Sequence, residues 1–263
     1  MAKVIGPLLA GLLILLVPLP MLMLVDAASF LLSASSLLLI STGFNTASTE
    51  KKAPTSIRRD IIDGLRYVMR QPVIRSITLL LLLMNFLLPT TGAQLVLFAK
   101  QWFVASNTQI GLLYASSSAG TALFAISVSR LRKRVPFGVF VLGSLMLEGL
   151  FTALPALTHQ YWLFLLCWLL RGGADALFIV GTYSLTQHIV PNHMLGRVLT
   201  FIRVLTWSTA SVGALLGGFA VEQTRNVGLV YGAIGTMVLF AACMFLLTPL
   251  GSSERFIPDR AHR

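Results

Sequence analysis

Charge is scarce in this chain. Of its 263 residues only 11% are Asp, Glu, Lys or Arg, against about 25% in an ordinary soluble domain. Acid is scarcer still, with nine Asp and Glu against twenty Lys and Arg. There are two cysteines, Cys167 and Cys243. Both lie inside apolar runs without ligand-like spacing, so a disulfide framework and a zinc site are excluded and both read as small core residues. No Walker A sequence is present, which removes direct ATP use. His159, His188 and His193 sit by loops and His262 in the tail, none with a metal-like partner set. No catalytic constellation emerges, and the expectation is neither enzyme nor cofactor.

What remains is apolar. Hydrophobic residues make up 56% of the chain and mean hydropathy is +0.83. A water-soluble core of this length could not hide that much apolar surface, so lipid is the expected surrounding. The net charge of +11 does not point to nucleic acid, because the basic residues lie in short clusters between apolar runs and not along one face.

A membrane-spanning helix needs about 20 apolar residues. Residues 4–41 are too long for one span and are read as two, 4–17, which is short for a full span, and 19–41, with Pro18 and Pro20 breaking the run. Because the apolar pattern continues past Val25, this reads as spans and not as a cleaved signal. Further spans are expected over 76–98, 110–129, 136–156, 162–185, 199–221 and 228–249. The fold class is therefore an all-α polytopic membrane protein with eight predicted transmembrane helices. Its parts are a pair of helices (1–41), a linker (42–75), a six-helix unit (76–249) and a tail (250–263).

Positive residues orient the spans. Lys51, Lys52, Arg58, Arg59, Arg66, Arg70 and Arg75 fall in or beside the linker, and Arg130, Arg132, Lys133 and Arg134 in a later loop. Arg197, with Arg203 just inside the next helix, marks another loop, and the tail carries Arg255, Arg260 and Arg263. Lys100 and Arg225 are left for the opposite side. This alternation predicts a multi-pass cell-membrane protein with both termini cytoplasmic. Within the linker, Ile57, Ile61, Ile62, Leu65, Val68 and Met69 recur at helical spacing, with Arg58, Arg59, Asp63, Arg66 and Arg70 mostly on other faces. That pattern predicts a short amphipathic helix on the cytoplasmic membrane surface, its arginines toward anionic lipid. A plain basic linker is the alternative.

Taken in order, these segments resemble the major facilitator superfamily, in its siderophore- and drug-exporter-like branch. IGPLLAGLLI and VDAASFLLSASSLLLI resemble that branch's fifth and sixth helices. RRDIIDGLRYVMRQPVIRSI resembles the linker and the start of helix seven, LTQHIVPNHMLGRVLTFIRVL the junction of helices ten and eleven, and SVGALLGGFAVEQ the body of helix eleven. The resemblance implies a secondary active transporter that exports small molecules. It also implies a partial fold, with helices five to twelve of the family's twelve. The 263-residue chain alone is then expected not to transport, and it needs the missing helices or a homo-oligomer to complete its cavity. The family pattern has Asp and Arg where this chain has Asn192 and Leu195; Arg197 remains and, with Arg130, Arg132, Lys133 and Arg134, is assigned to cytoplasmic gating or topology.

Four polar residues inside the spans are the candidates for a substrate cavity or coupling site. Arg171 and Asp175 are four apart on one helix and share a face. They read either as a cavity wall or as a structural pair, with Gly172 and Gly173 allowing close approach or local unwinding. Asn85 precedes Pro89 by four residues, at an expected bend, and reads as a cavity contact or as interhelix glue. Glu148 is the other acid in the unit. The resemblance puts it on helix nine, a helix usually outside the cavity, where it would titrate or bond to a neighbouring Ser. Gly213 with Gly217 and Gly228 with Gly232 form GxxxG pairs that predict close helix contacts.

Overall fold

Proline and small polar clusters set the helix ends. In a computed structural model, which describes residues 19–38, 57–132 and 135–251, all regular elements among the described residues are helical. They are α1 (Leu19–Leu38), α2 (Ile57–Arg70), α3 (Pro72–Leu87), α4 (Pro89–Ala93), α5 (Leu95–Phe103), α6 (Asn107–Arg132), α7 (Phe137–Ala153), continued by a 3-10 turn over Leu154–Leu157, α8 (Tyr161–Ile189), α9 (Asn192–Thr224) and α10 (Val227–Leu246). Pro72 occupies the first turn of α3, where its missing N–H costs nothing. Ser106 and Gln109 cap α6 reciprocally, each side chain accepting from the other's backbone N–H. Asn226 caps α10, its Oδ1 accepting from Leu229 N at 3.0 Å. Arg225 closes α9 in the left-handed region, with φ 49°.

Six stretches are long and apolar enough to cross a membrane: Pro72–Ala93, Asn107–Val128, Phe137–Leu157, Tyr161–Ile189, Asn192–Thr224 and Val227–Leu246. They correspond one for one to the six spans expected after the linker. Of the two earlier spans, 19–41 appears as α1, whose apolar stretch Met23–Ser36 is shorter; residues 4–17 lie outside the described residues.

The six spans join through small residues. α6 lies against α8, α8 against α7, and α7 against α10. A Cβ on Gly120 of α6 would stand 1.8 Å from Leu169 O, and one on Gly172 2.4 Å from Ser117 O. Gly172 therefore serves close approach within an unbroken α8, and the unwinding alternative falls away. α9 packs on α3 and α4, where a Cβ on Gly213 would stand 1.9 Å from Phe86 O and one on Gly217 2.0 Å from Thr90 Oγ1. The second expected pair behaves differently. Gly228 meets the Trp102 ring and Gly232 approaches only the Ala156 Cβ at 3.4 Å, while Gly235 supplies the backbone contact, 2.4 Å from Ala153 N. Cys167 is buried as expected, but Cys243 is exposed on the outside of the bundle.

The linker pattern forms a helix. α2 lies on the start of α9, where a Cβ at Gly64 would sit 3.1 Å from Arg197 O. Tyr67 Oη donates to Ile189 O at 3.3 Å, and Arg197 pairs with Asp63 at 3.6 Å. Ile61, Ile62, Leu65 and Met69 remain exposed.

Candidate functional site: a charged cavity between α3, α8 and α9

α8 and α9 both reach α3 and leave a cleft between them. The expected bend occurs there. The first span breaks at Leu88, resumes at Pro89 as the one-turn helix α4, and breaks again at Gln94 with φ −96° and ψ 8°. The cleft holds a cavity of about 450 Å³. Asn85, Glu148, Arg171 and Asp175 all line it, so the four candidates converge from three different helices. Glu148 therefore reaches the cavity, although α7 contributes no other residue to its lining. α7 packs directly against α8, which lets its buried carboxylate reach the cavity wall beneath Arg171.

Arg171 is the centre of the site. Its Nη2 stands 3.5 Å from Glu148 Oε1, with 13% of the Arg side chain and 1% of the Glu side chain exposed. The acid at this distance is thus supplied by a second helix, while Asp175 lies one turn along α8 in the same cavity lining. Arg171 Nε donates to Thr152 Oγ1 and Nη2 to Thr91 Oγ1, both at 3.1 Å. Its guanidinium also sits 4.6 Å from the Trp168 ring centroid, in range for a cation–π contact.

The two threonines are also held by bonds within their own helical segments. Thr91 Oγ1 donates to Leu88 O and Thr152 Oγ1 to Glu148 O, each at 2.7 Å. Each hydroxyl spends its proton on its own helix and turns its lone pairs toward the guanidinium. Tyr231 of α10 fixes the α4 end by donating to Thr91 O. Arg171 thereby ties α4, α7 and α8 together, and Tyr231 adds α10 through Thr91. Glu148 differs in that neither carboxylate oxygen accepts a hydrogen bond. Its contact is the ion pair with Arg171, and burial makes the loss of that counter-charge costly.

Asn85 Nδ2 donates to Leu81 O at 2.9 Å, so half of its amide is committed to its own helix and Oδ1 is the part left for the cavity. Arg197 works elsewhere, in the pair with Asp63. Arg130 and Arg132 end α6, but their side chains, with Lys133 and Arg134, lie outside the described residues. Thr91, Thr152, Trp168 and Tyr231 were not singled out from sequence, nor were Tyr183 and Trp207 of the cavity lining. Arg203, counted there as a topology signal, also lines the cavity.

The comparisons agree with this architecture. Residues 1–261 match the family described as transmembrane secretion effector. Among similar proteins, the enterobactin exporter EntS of Citrobacter koseri is 30% identical over 217 residues, covering 77% of this chain and 49% of that protein. EntS of Salmonella choleraesuis is 29% identical over 204 residues, covering 74% and 46%. EntS of Escherichia coli O81 is 27% identical over 200 residues, covering 73% and 46%. The chain thus spans about half the length of the curated relatives it matches. No solved structure matches it significantly. With six apolar spans, a polar cavity among them and a family match along nearly its whole length, the chain belongs to the transmembrane secretion effector family of the major facilitator superfamily.

Proposed function

We propose that this chain supplies one six-helix half of a secondary active exporter, and that the cavity around Arg171 is its wall of the substrate path. The observation that carries the proposal is the convergence of Asn85, Glu148, Arg171 and Asp175 on one cavity inside an apolar bundle. Charge at that depth is expensive and belongs to cavities and ion paths. Alternating access requires a second set of helices across the cavity. The substrate class is a small molecule of siderophore or drug type, in keeping with relatives named as enterobactin exporters. Glu148 is the group through which an ion gradient acts.

Reconstitution in sealed vesicles tests this. With a facing helical half supplied, an imposed ion gradient should drive saturable movement of enterobactin or a dye. The 263-residue chain alone should give none. Movement by the chain alone would overturn the need for a facing half, and no movement in either preparation would overturn the exporter reading.

The same proposal puts both chain ends and the linker on the cytoplasmic side of the cell membrane, supported by the distribution of Lys and Arg. In a background lacking Cys167 and Cys243, single cysteines at Asn107 or Thr158 should react with an impermeant thiol reagent applied outside cells. Cysteines at Thr55 and Ser252 should not. Outside labelling at Thr55 would reverse the topology.

A further inference from the structure

We propose that the groove between α2 and the α8–α9 turn binds the headgroup of an anionic phospholipid, with α2 lying in the membrane interface. The groove, about 540 Å³, is lined by Arg66, Tyr67, Arg70 and His193, together with Asp63. Its acid is already engaged, because Asp63 faces Arg197 at 3.6 Å. The cations Arg66 and Arg70 are exposed one turn apart on α2, a spacing suited to the oxygens of one phosphate.

The surroundings favour a lipid over a soluble phosphate. Ile61, Ile62, Leu65 and Met69 are each 43% exposed or more, and at about 100° per residue they form a strip flanked by Arg66, with Arg70 one step further round toward the groove. Arginines at the flank of an apolar strip are placed at headgroup level when the strip enters the acyl boundary. The depth is set by the chain itself, since α2 ends at Arg70 and the first span of the six-helix unit starts at Pro72. An anionic headgroup there would join α2 to the α8–α9 turn, where Tyr67 already bonds Ile189 O. The inference does not depend on the exporter reading.

The test is equilibrium binding of fluorescent phosphatidylglycerol to the purified full chain in neutral detergent, with phosphatidylcholine as the comparison. Phosphatidylglycerol should bind more tightly. Each Arg near a lipid surface contributes enough that the Arg66→Gln, Arg70→Gln double variant should weaken it roughly thirtyfold, with phosphatidylcholine unchanged. Arg70→Gln alone should fall between. Lys100→Gln with Arg225→Gln, at the far end of the bundle, should leave the preference intact. Equal binding of the two lipids, an undiminished preference in the groove variant, or an equal loss in the distant variant would overturn the proposal. Displacement of the lipid by glycerol phosphate at matched concentration would also overturn it, by assigning the groove to a soluble phosphate.

Discussion

Arg171→Leu is expected to destabilise the folded chain by about 3–5 kcal/mol, the cost of leaving one member of a buried ion pair without the other. The substitution strips the counter-charge from Glu148, which accepts no hydrogen bond of its own. It also removes the 3.1 Å bonds that join Thr152 of α7 and Thr91 of α4 to α8. Glu148→Leu together with Arg171→Leu should recover part of the loss, because neither charge then remains in the bundle. Unfolding in detergent, followed for both single variants and the double, reads the coupling directly. Strict additivity would mean that the 3.5 Å contact stabilises nothing. A well-folded double variant that no longer supports transport in a completed carrier would show that the pair also works in transport.

Gly213→Val is expected to cost about 3 kcal/mol, at the upper end for overpacking. A Cβ at this position would stand 1.9 Å from Phe86 O and 2.8 Å from Phe86 Cα. The obstacle is backbone, so no side-chain rotation relieves it and α9 must move off α3. That movement also breaks the 3.0 Å bond from Thr90 Oγ1 to Gly213 O. The cavity lies between the same helices, so the variant should lose substrate or dye binding along with stability. Gly143→Ala on α7 is the control. Nothing lies within 4 Å of its Cβ, and the change should be neutral or should stabilise by up to about 1 kcal/mol through helix propensity. Melting temperatures of the two variants decide the point. Equal values would mean that the α3–α9 seam is not close-packed.

How far such a site can be seen in sequence depends on which residues break a local rule. Arg171, Asp175, Glu148 and Asn85 were visible because polar groups stand out in apolar runs, and Pro89 because it cannot continue a helix hydrogen-bond pattern. The linker helix was visible through its 3.6-residue periodicity. The spans after it were visible because lipid demands long apolar stretches, although α9 starts at Asn192, seven residues before the expected 199, because its first two turns carry His193 and Arg197 and dilute the apolar signal. What stayed hidden were relations between helices. Spacing of four residues suggested Asp175 for Arg171, but whether Glu148 on another helix reaches the same guanidinium depends on α7 lying against α8, which no local pattern encodes. Thr91 and Thr152 were hidden for a related reason, since threonine in a membrane helix ordinarily bonds its own carbonyls, and these two do so while also accepting from Arg171. Gly235 closes the α7–α10 contact without belonging to the GxxxG pair that drew attention on the same helix.

The central claim is that the cleft around Arg171 is a water-accessible path within the bundle. A single cysteine at Asn85, in a chain lacking Cys167 and Cys243, measures this most directly. Asn85 lines the cavity, whereas Met237 of α10 is 55% exposed on the outside of the bundle. In membranes, a charged water-soluble thiol reagent should modify a cysteine at Asn85 at least about tenfold faster than one at Met237, because reaction needs a hydrated thiolate and the hydrocarbon core has almost no water. Equal and slow modification at both positions would contradict the account, and would make Asn85, Glu148 and Arg171 a packing cluster rather than the wall of a path.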